Sequence, residues 1–333
     1  MIRVSAGIIR REGKILICQR GEGRGNAGLW EFPGGKQECG ESAADCLKRE
    51  LQEELSLQVT EPQLLCTREA QGITFDFLAC ETDGEPVLTE HAAYAWAAPR
   101  ELLKYAFCPA DTEIARALAV QAPPLMHFLW DFDGTLMDTY PAMVQAFVNA
   151  CASFGVTVTA ERALNLMKNS LGHCINCIAE ENGLTYEELH AAYYREENTV
   201  PDNAVVPLPG IPETLRALHN LGGRHYLATH RNARAWDFLA ANGLKELFAG
   251  GTTKEDNLPR KPEPDMVLAV LARHGIDPAT AIMIGDRPLD TESGRRAGIL
   301  SCMYDVEGRF PNDPAELRCE DAWELTRILT GGM

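Results

Sequence analysis

From His127 onward, short apolar stretches alternate with helix-length ones: HFLWDFD, HYLATH, LFAGGTT, AIMIGD and ILSCMYDV, with helical sequence between the later four. That alternation is the pattern of a parallel sheet with helices on both faces. In an open α/β sheet, ligands bind outside the C-terminal ends of the strands. HFLWDFD, HYLATH and AIMIGD each end in a side chain able to do chemistry there. Between Tyr140 and Pro207 the pattern is almost wholly helical, which predicts an inserted helical lid.

The chain before His127 reads differently. Strand, Glu-Gly turn and strand (IRVSAGIIRREGKILICQR) are followed by a Gly-rich loop, GEGRGNAGLWEFPGG. A helix is predicted from Ala43 to Leu55, with Ser42 as N-cap and Asp45 favourable in its first turn. Strands LLCTREA, ITFDFLACE and AAYAWAA and a helix in ADTEIARALAV complete a small α+β unit. The Pro-containing break QAPPL, 121–125, is the candidate linker. The expected organisation is an α/β two-domain chain. Its first domain is 1–122 and its second 126–333, with a sheet-bearing core of 126–140 and 208–333 and a helical cap of 141–207.

A net charge of −17, with both halves acidic, argues against the broad basic face of a nucleic-acid binder. Acidic proteins still handle phosphates where bound divalent cations invert the local charge. No apolar tract reaches the roughly 18 residues of a membrane span, and charges interrupt the apolar run at the start before it can act as a signal core. The cytoplasm is therefore expected. Eleven irregularly spaced cysteines fit a reducing compartment rather than a disulfide framework. The lone CxxC, Cys174 and Cys177, has no second pair at zinc spacing and reads as helix packing.

In the N-terminal unit, Glu50, Glu53 and Glu54 stand at i, i+3 and i+4, on one helix face. Crowded carboxylates oppose helix formation unless a hard cation sits among them, and oxygen ligands suit Mg²⁺ or Mn²⁺. Three glutamates alone would equally suit a solvated acidic face. The complete spacing decides: Gly35, five residues, Glu41, seven residues, then Arg49-Glu50-Leu51-x-Glu53-Glu54. It resembles the box of the Nudix hydrolases, and LWEFPGGK at Leu29–Lys36 resembles the MutT-like branch. Ser56 departs from the pattern, which has Gly there for a left-handed helix exit.

The resemblance implies that Glu50, Glu53 and Glu54 bind metal with the Gly34 carbonyl, and that Glu41 and Arg49 form a supporting ion pair. Glu90 aligns with a further metal ligand or base. The implied substrates are (deoxy)nucleoside triphosphates, including oxidised, 8-oxo-dGTP-like ones, cleaved to monophosphate and pyrophosphate. Asp111, in FCPAD, aligns with a base-contacting residue. Ionised, it would accept from guanine N1–H and N2–H₂; protonated, it would face cytosine N3. The simpler alternative is a helix N-cap. Arg20 is either a phosphate or base contact or a surface arginine.

In the C-terminal unit, Asp131 and Asp133 (WDFDGTLMD) point to one side of a strand end. Thr229 in HYLATH, Lys261 in RKPEPD, and Asp286 and Asp290 in IMIGDRPLD follow in order. Together these resemble the motifs of the haloacid dehalogenase (HAD) superfamily, with its Rossmann-like core. The resemblance implies that Asp131 is the nucleophile and Asp133 the general acid and base. Thr229 and Lys261 would hold the phosphoryl oxygens. Asp286 would bind Mg²⁺ with Asp131 and the Asp133 carbonyl, and Asp290 would be a ligand or orient one. The insert resembles the cap of the phosphoglycolate phosphatase and β-phosphoglucomutase branch. Lys168 and Asn169 align there with substrate contacts, or are an exposed helix end. His230 and Arg231 either approach the substrate or are structural. The expected partners are small phosphate compounds: a nucleoside monophosphate, phosphoglycolate or another small ester, or pyrophosphate. The alternative is a phosphatase whose Nudix half only senses ligands or mediates interactions.

Overall fold

The computed structural model describes residues 2–330 apart from Arg24 and Gln71. The chain divides into two compact units, one made of the described residues up to Pro124 together with those from Arg327 on, the other running from Leu125 to Thr326.

In the first unit, strands Ile2–Arg11 and Lys14–Gln19 pair antiparallel across Glu12 and Gly13, both at positive φ. A two-residue turn of that type matches the twist of the strands it joins. Ile2–Arg11 also pairs parallel with Ile73–Glu81, which pairs antiparallel with Gln63–Ala70. Ala93–Ala97 joins the far side of Lys14–Gln19. The stretch read as a Gly-rich loop contributes two short strands, Trp30–Glu31 and Gly34–Lys36. The second of these lies against Ile2–Arg11. Helix Ala43–Leu55 packs Leu47, Leu51 and Leu55 against Ile9, Leu16 and Leu78. The opposite side of the sheet buries Ile8, Ile17, Phe32 and Phe77 with Ile114 and Leu118 of helix Pro109–Gln121.

The second unit is built on a six-stranded, all-parallel sheet. Its order is Phe248–Thr252, Arg224–Ala228, His127–Trp130, Ala281–Gly285, Leu300–Tyr304, Leu317–Cys319. His127–Trp130 is central, and Phe128, Leu129 and Trp130 are fully buried, as a strand covered on both faces must be. His225 on the neighbouring strand is a satisfied core residue. It accepts from Trp130 Nε1–H at 3.0 Å and donates to the Leu215 carbonyl at 3.0 Å. Four helices, Tyr140–Ala152, Ala160–Met167, Leu171–Asn182 and Tyr186–Glu197, form the inserted cap. The cap has its own core around Phe147, Ile175, Leu189 and Tyr193. Cys174 is buried there, while Cys177 lies 3.6 Å from His173 Nε2. No described helix is long and apolar enough to cross a membrane.

Candidate active sites

In the first unit the glutamate helix is fixed at both ends. Ser42 Oγ accepts the Asp45 N–H at 3.1 Å. Ser56 adopts φ 50, ψ 35, the left-handed exit that glycine ordinarily makes. Its N–H reaches the Gln52 carbonyl at 3.2 Å, and the Leu57 N–H reaches that of Leu51 at 3.1 Å. A side chain in this conformation costs about 1–2 kcal/mol. The last carbonyls of the helix are satisfied from the 87–89 loop. Val87 N–H donates to Leu55 O at 2.8 Å, and the Thr89 hydroxyl donates to the carbonyls of Glu53 and Glu54 at 3.0 and 2.9 Å. Glu90, exposed, follows directly.

Arg49 organises the acidic face. It grips Glu41 through Nε and Nη2, both at 3.0 Å, and touches Glu50 at 2.8 Å and Glu53 at 3.4 Å. The hydrogen bonds from Arg49 pull the Glu41 carboxyl down to about 2. Glu54 is buried and Glu53 exposed. The two glycines of the box are required for different reasons. A Cβ on Gly34 would lie 2.0 Å from the Ser5 carbonyl oxygen across the strand pair. A Cβ on Gly35 would lie 2.2 Å from Cδ of Glu50, so that carboxylate can rest against the Gly34–Lys36 backbone only because no side chain is there. The groups on this face are backbone and carboxylate oxygens, the donor type a hard divalent cation takes, but Glu50, Glu53 and Glu54 are not drawn within 4.8 Å of one another.

Asp111 is buried in the first turn of its helix and does not cap it; its Oδ1 accepts the Phe32 N–H at 3.3 Å. Burial, reinforced by the nearby Glu31 charge, pushes its carboxyl up to about 8. Arg20 is engaged within the fold: it pairs with Glu31 and donates to the Gly25 carbonyl at 2.6 Å. Glu31 also meets His91 at 3.1 Å.

In the second unit, the parallel sheet brings strand ends that are distant in sequence to one edge. Lys261 Nζ lies 2.7 Å from Asp131, 2.6 Å from Asp290 and 2.7 Å from the Ala228 carbonyl, all of it buried. Oxygens of Asp131, Asp286 and Asp290 fall within 4.8 Å of one another, the one such acidic cluster among the described residues. Gly134, at φ 77, is necessary here: a Cβ would lie 2.5 Å from Asp286 Oδ2. Burial and the Asp131 and Asp290 charges push Asp286 up to about 8 against the pull of Arg287. Burial alone would raise Asp131 as well, but Lys261 and Arg287 hold it below the carboxylate range. Asp131 Oδ2 is buried without a hydrogen-bond partner. A cluster of carboxylates with a partnerless buried oxygen fits a divalent cation.

Thr229, buried at the end of Arg224–Ala228, accepts the Arg231 N–H on its Oγ at 3.1 Å. His230, held neutral down to about 3 by burial and then Lys261, accepts the Lys261 N–H at 2.8 Å and so fixes the backbone of that loop. Arg231 donates to Asp133 at 2.8 Å and to Glu197 of the cap at 2.6 Å. Lys168 pairs with Glu307 and lies 5.8 Å from the Tyr140 ring. Asn169 is exposed; its neighbour Ser170 lines the cleft between cap and core. The sequence reading missed Glu197 and Arg287. Arg287 could have been noticed because it directly follows Asp286, and it reaches Asp131 at 3.6 Å. Glu197 carries no local signal.

Known proteins resemble each unit separately. Residues 1–118 match the NUDIX domain family and residues 128–304 the haloacid dehalogenase-like hydrolase family. A CTP pyrophosphohydrolase of Escherichia coli is 41% identical over 122 residues, covering 35% of this chain and 90% of that protein. An 8-oxo-dGTP diphosphatase of Haemophilus influenzae is 36% identical over 35% of this chain and 91% of its own length. For the second unit, a phosphoglycolate phosphatase of Aquifex aeolicus is 28% identical, covering 53% of this chain and 82% of that protein. A haloacid dehalogenase-like hydrolase structure from Streptococcus pneumoniae superposes with a TM-score of 0.53 at 20% identity, over 60% of this chain and 96% of that one, and so shares the fold.

Proposed function

The chain belongs to the Nudix and the haloacid dehalogenase-like hydrolase families, one in each half, and from that premise we propose a bifunctional, Mg²⁺-dependent hydrolase. The first unit cleaves (deoxy)nucleoside triphosphates to monophosphate and pyrophosphate. The second removes phosphate from small phosphomonoesters through an aspartyl-phosphate. The observation that carries the proposal is the constellation of buried Asp131, Lys261 and Asp290 with half-buried Asp286 at the edge of a parallel sheet. Eleven free thiols support work in the reducing cytoplasm.

In the second unit Asp131 attacks phosphorus, and the bond to the leaving oxygen breaks as Asp133 gives that oxygen a proton. Asp133 then takes a proton from the water that cleaves the aspartyl-phosphate. Arg231, 2.8 Å from Asp133, holds this carboxyl in place. Thr229 and Lys261 bind the phosphoryl oxygens, and Asp290 orients Lys261. Asp131, the Asp133 carbonyl and Asp286 would hold Mg²⁺, which when bound neutralises charge on the transferred group.

In the first unit Glu50, Glu53, Glu54, the Gly34 carbonyl and Glu90 would hold Mg²⁺ or Mn²⁺, with Arg49 and Glu41 bracing the set. When bound, these ions offset the charge that develops as water attacks the phosphate chain. Asp111 is suited to a cytosine base: a carboxyl raised to about 8 is protonated at neutral pH and can donate to cytosine N3. The likeness to a CTP pyrophosphohydrolase supports the same choice.

The test uses the full chain. Glu54→Gln should abolish pyrophosphate release from cytidine triphosphate and leave ester hydrolysis within about threefold. Asp131→Asn should do the reverse, because asparagine cannot form the acyl phosphate. Loss of both activities in either folded variant would contradict two independent sites. Wild type that releases no pyrophosphate from any nucleoside triphosphate would leave the first unit a sensing module.

A further inference from the structure

The cap helix Tyr186–Glu197 has two separate stripes. Leu189, Ala192 and Tyr193 are buried in the cap core. Tyr186, His190 and Tyr194, spaced at i, i+4 and i+8, form a second stripe of half-buried rings along one side. Adjacent rings are in contact, with centroids 5.2 Å apart for Tyr186 and His190 and 4.7 Å for His190 and Tyr194. Tyr186 and Tyr194 also pack against the cap core. All three rings line a cleft of about 310 Å³ whose other wall holds Asp133 and Lys261. From the core, Lys254 extends the strip: its Nζ lies 4.7 Å from the centre of the Tyr194 ring. Burial, and then the Lys254 charge, lower His190, so its ring is neutral and offers a flat face rather than a charge.

A leaving group bound to a phosphoryl at Asp131 must extend past Asp133 into this cleft. A two-carbon acid could pair with the cations that also line the cleft, Arg231, Lys254 and Arg260 among them, but would leave its ring-lined wall unused. A row of π-faces is the surface on which proteins hold nucleobases, because every base presents a π-face of its own. We infer that the cap strip of Tyr186, His190 and Tyr194 is a base-stacking platform, and that the phosphomonoester taken by the second unit is a nucleoside monophosphate. The inference rests on the phosphatase reading above and names its substrate class. It also places the second reaction after a pyrophosphohydrolysis, since cleavage of a nucleoside triphosphate to pyrophosphate leaves such a monophosphate. The second reaction exchanges one bond for another: water adds hydroxyl to phosphorus, and the nucleoside leaves with its 5′-oxygen protonated.

The experiment measures phosphate release with Mg²⁺ by the full chain carrying Glu54→Gln, which silences the first unit. Cytidine monophosphate and glycerol phosphate are compared. The monophosphate should be favoured at least tenfold in kcat/KM. Tyr194→Leu and His190→Leu should each raise KM for it about tenfold, which is about 1.4 kcal/mol and within the range for base–aromatic stacking. Neither should change kcat by more than threefold or alter glycerol phosphate turnover. Tyr194→Phe, which keeps the ring, should behave as the parent and guards against misfolding. Turnover of glycerol phosphate with a tenfold or greater preference over the nucleotide would overturn the inference and leave the phosphatase reading standing. So would ladder variants that slow both esters equally. Turnover of neither ester by the parent would remove the phosphatase reading and this inference with it.

Discussion

Replacing Lys261 by methionine keeps a side chain of similar length but removes the nearer of the two cations shared by Asp131 and Asp290; the other, Arg287, stands 3.6 and 3.9 Å from them. The ammonium is fully buried between the two carboxylates at 2.7 and 2.6 Å and also donates to the Ala228 carbonyl. Breaking a buried ion pair by deleting one partner costs about 3–5 kcal/mol, because the other charge is left in a poor solvent. Here two carboxylates are left with only the more distant Arg287 between them, so a cost within that range is expected. For a unit of this size each kcal/mol lowers Tm by about 2–4 °C, giving a drop of roughly 6–20 °C. Differential scanning calorimetry in EDTA is the assay. Adding Mg²⁺ should restore part of the loss, since a bound cation offsets the same charge. Lys261→Met combined with Asp290→Asn should be more stable than Lys261→Met alone, because one of the stranded charges is gone, yet neither should turn over ester. A Tm within 2 °C of wild type for Lys261→Met, or a double variant less stable than the single, would refute the electrostatic account.

Two further predictions concern the first unit. With the Asp111 carboxyl raised to about 8 from an unfolded value near 3.9, the stability contributed by the neutral acid is fully present below about pH 4 and lost as pH rises through about 8. Asp111→Asn keeps an acceptor for Phe32 N–H and cannot ionise, so Tm and cytidine triphosphate hydrolysis should fall less between pH 7 and 9 than in wild type; parallel profiles would reject the protonated form. Ser56→Gly should relieve the left-handed strain at φ 50 and raise stability by about 0.5–1 kcal/mol, read as a higher melting temperature with pyrophosphate release unchanged; a lower melting temperature would show that serine is not strained there.

What the sequence made legible was whatever lies within one element or at the ends of successive strands. The i, i+3, i+4 spacing of Glu50, Glu53 and Glu54 is a property of a single helix. Asp131, Thr229 and Asp286 converge because parallel strands present their C-terminal ends to one edge. Only the order of apolar stretches was needed to expect it. The Gly34–Gly35 pair was legible as motif but not as mechanism. One glycine admits a neighbouring strand, the other the carboxylate of Glu50, and both contacts depend on how chain segments pack. The partner of Arg20 was illegible for a related reason. That residue, Glu31, comes to it only when Trp30–Glu31 forms a strand beside Lys14–Gln19, and a Gly-rich stretch does not announce a strand.

The link from Asp133 through Arg231 to Glu197 joins residues with no common periodicity, yet it has a consequence for how the second unit works. Glu197 ends the same cap helix that carries the aromatic strip, and Arg231 follows Thr229 on the core. On the proposed mechanism, a single buried guanidinium therefore ties the carboxyl that would move the proton to the helix that would select the leaving group. Arg234 adds a second tie, donating to the Glu197 carbonyl at 2.7 Å and to that of Val200 at 2.6 Å. Opening the cap would strip Arg231 of one of its two carboxylates and leave Asp133 as its remaining anion. Closing the cap shares the positive charge between Asp133 and Glu197. Asp133 and the cap helix that ends at Glu197 are thus coupled by the same charge. That coupling explains why an arginine, with a fork able to bridge two carboxylates at fixed geometry, stands where a lysine would hold only a point charge.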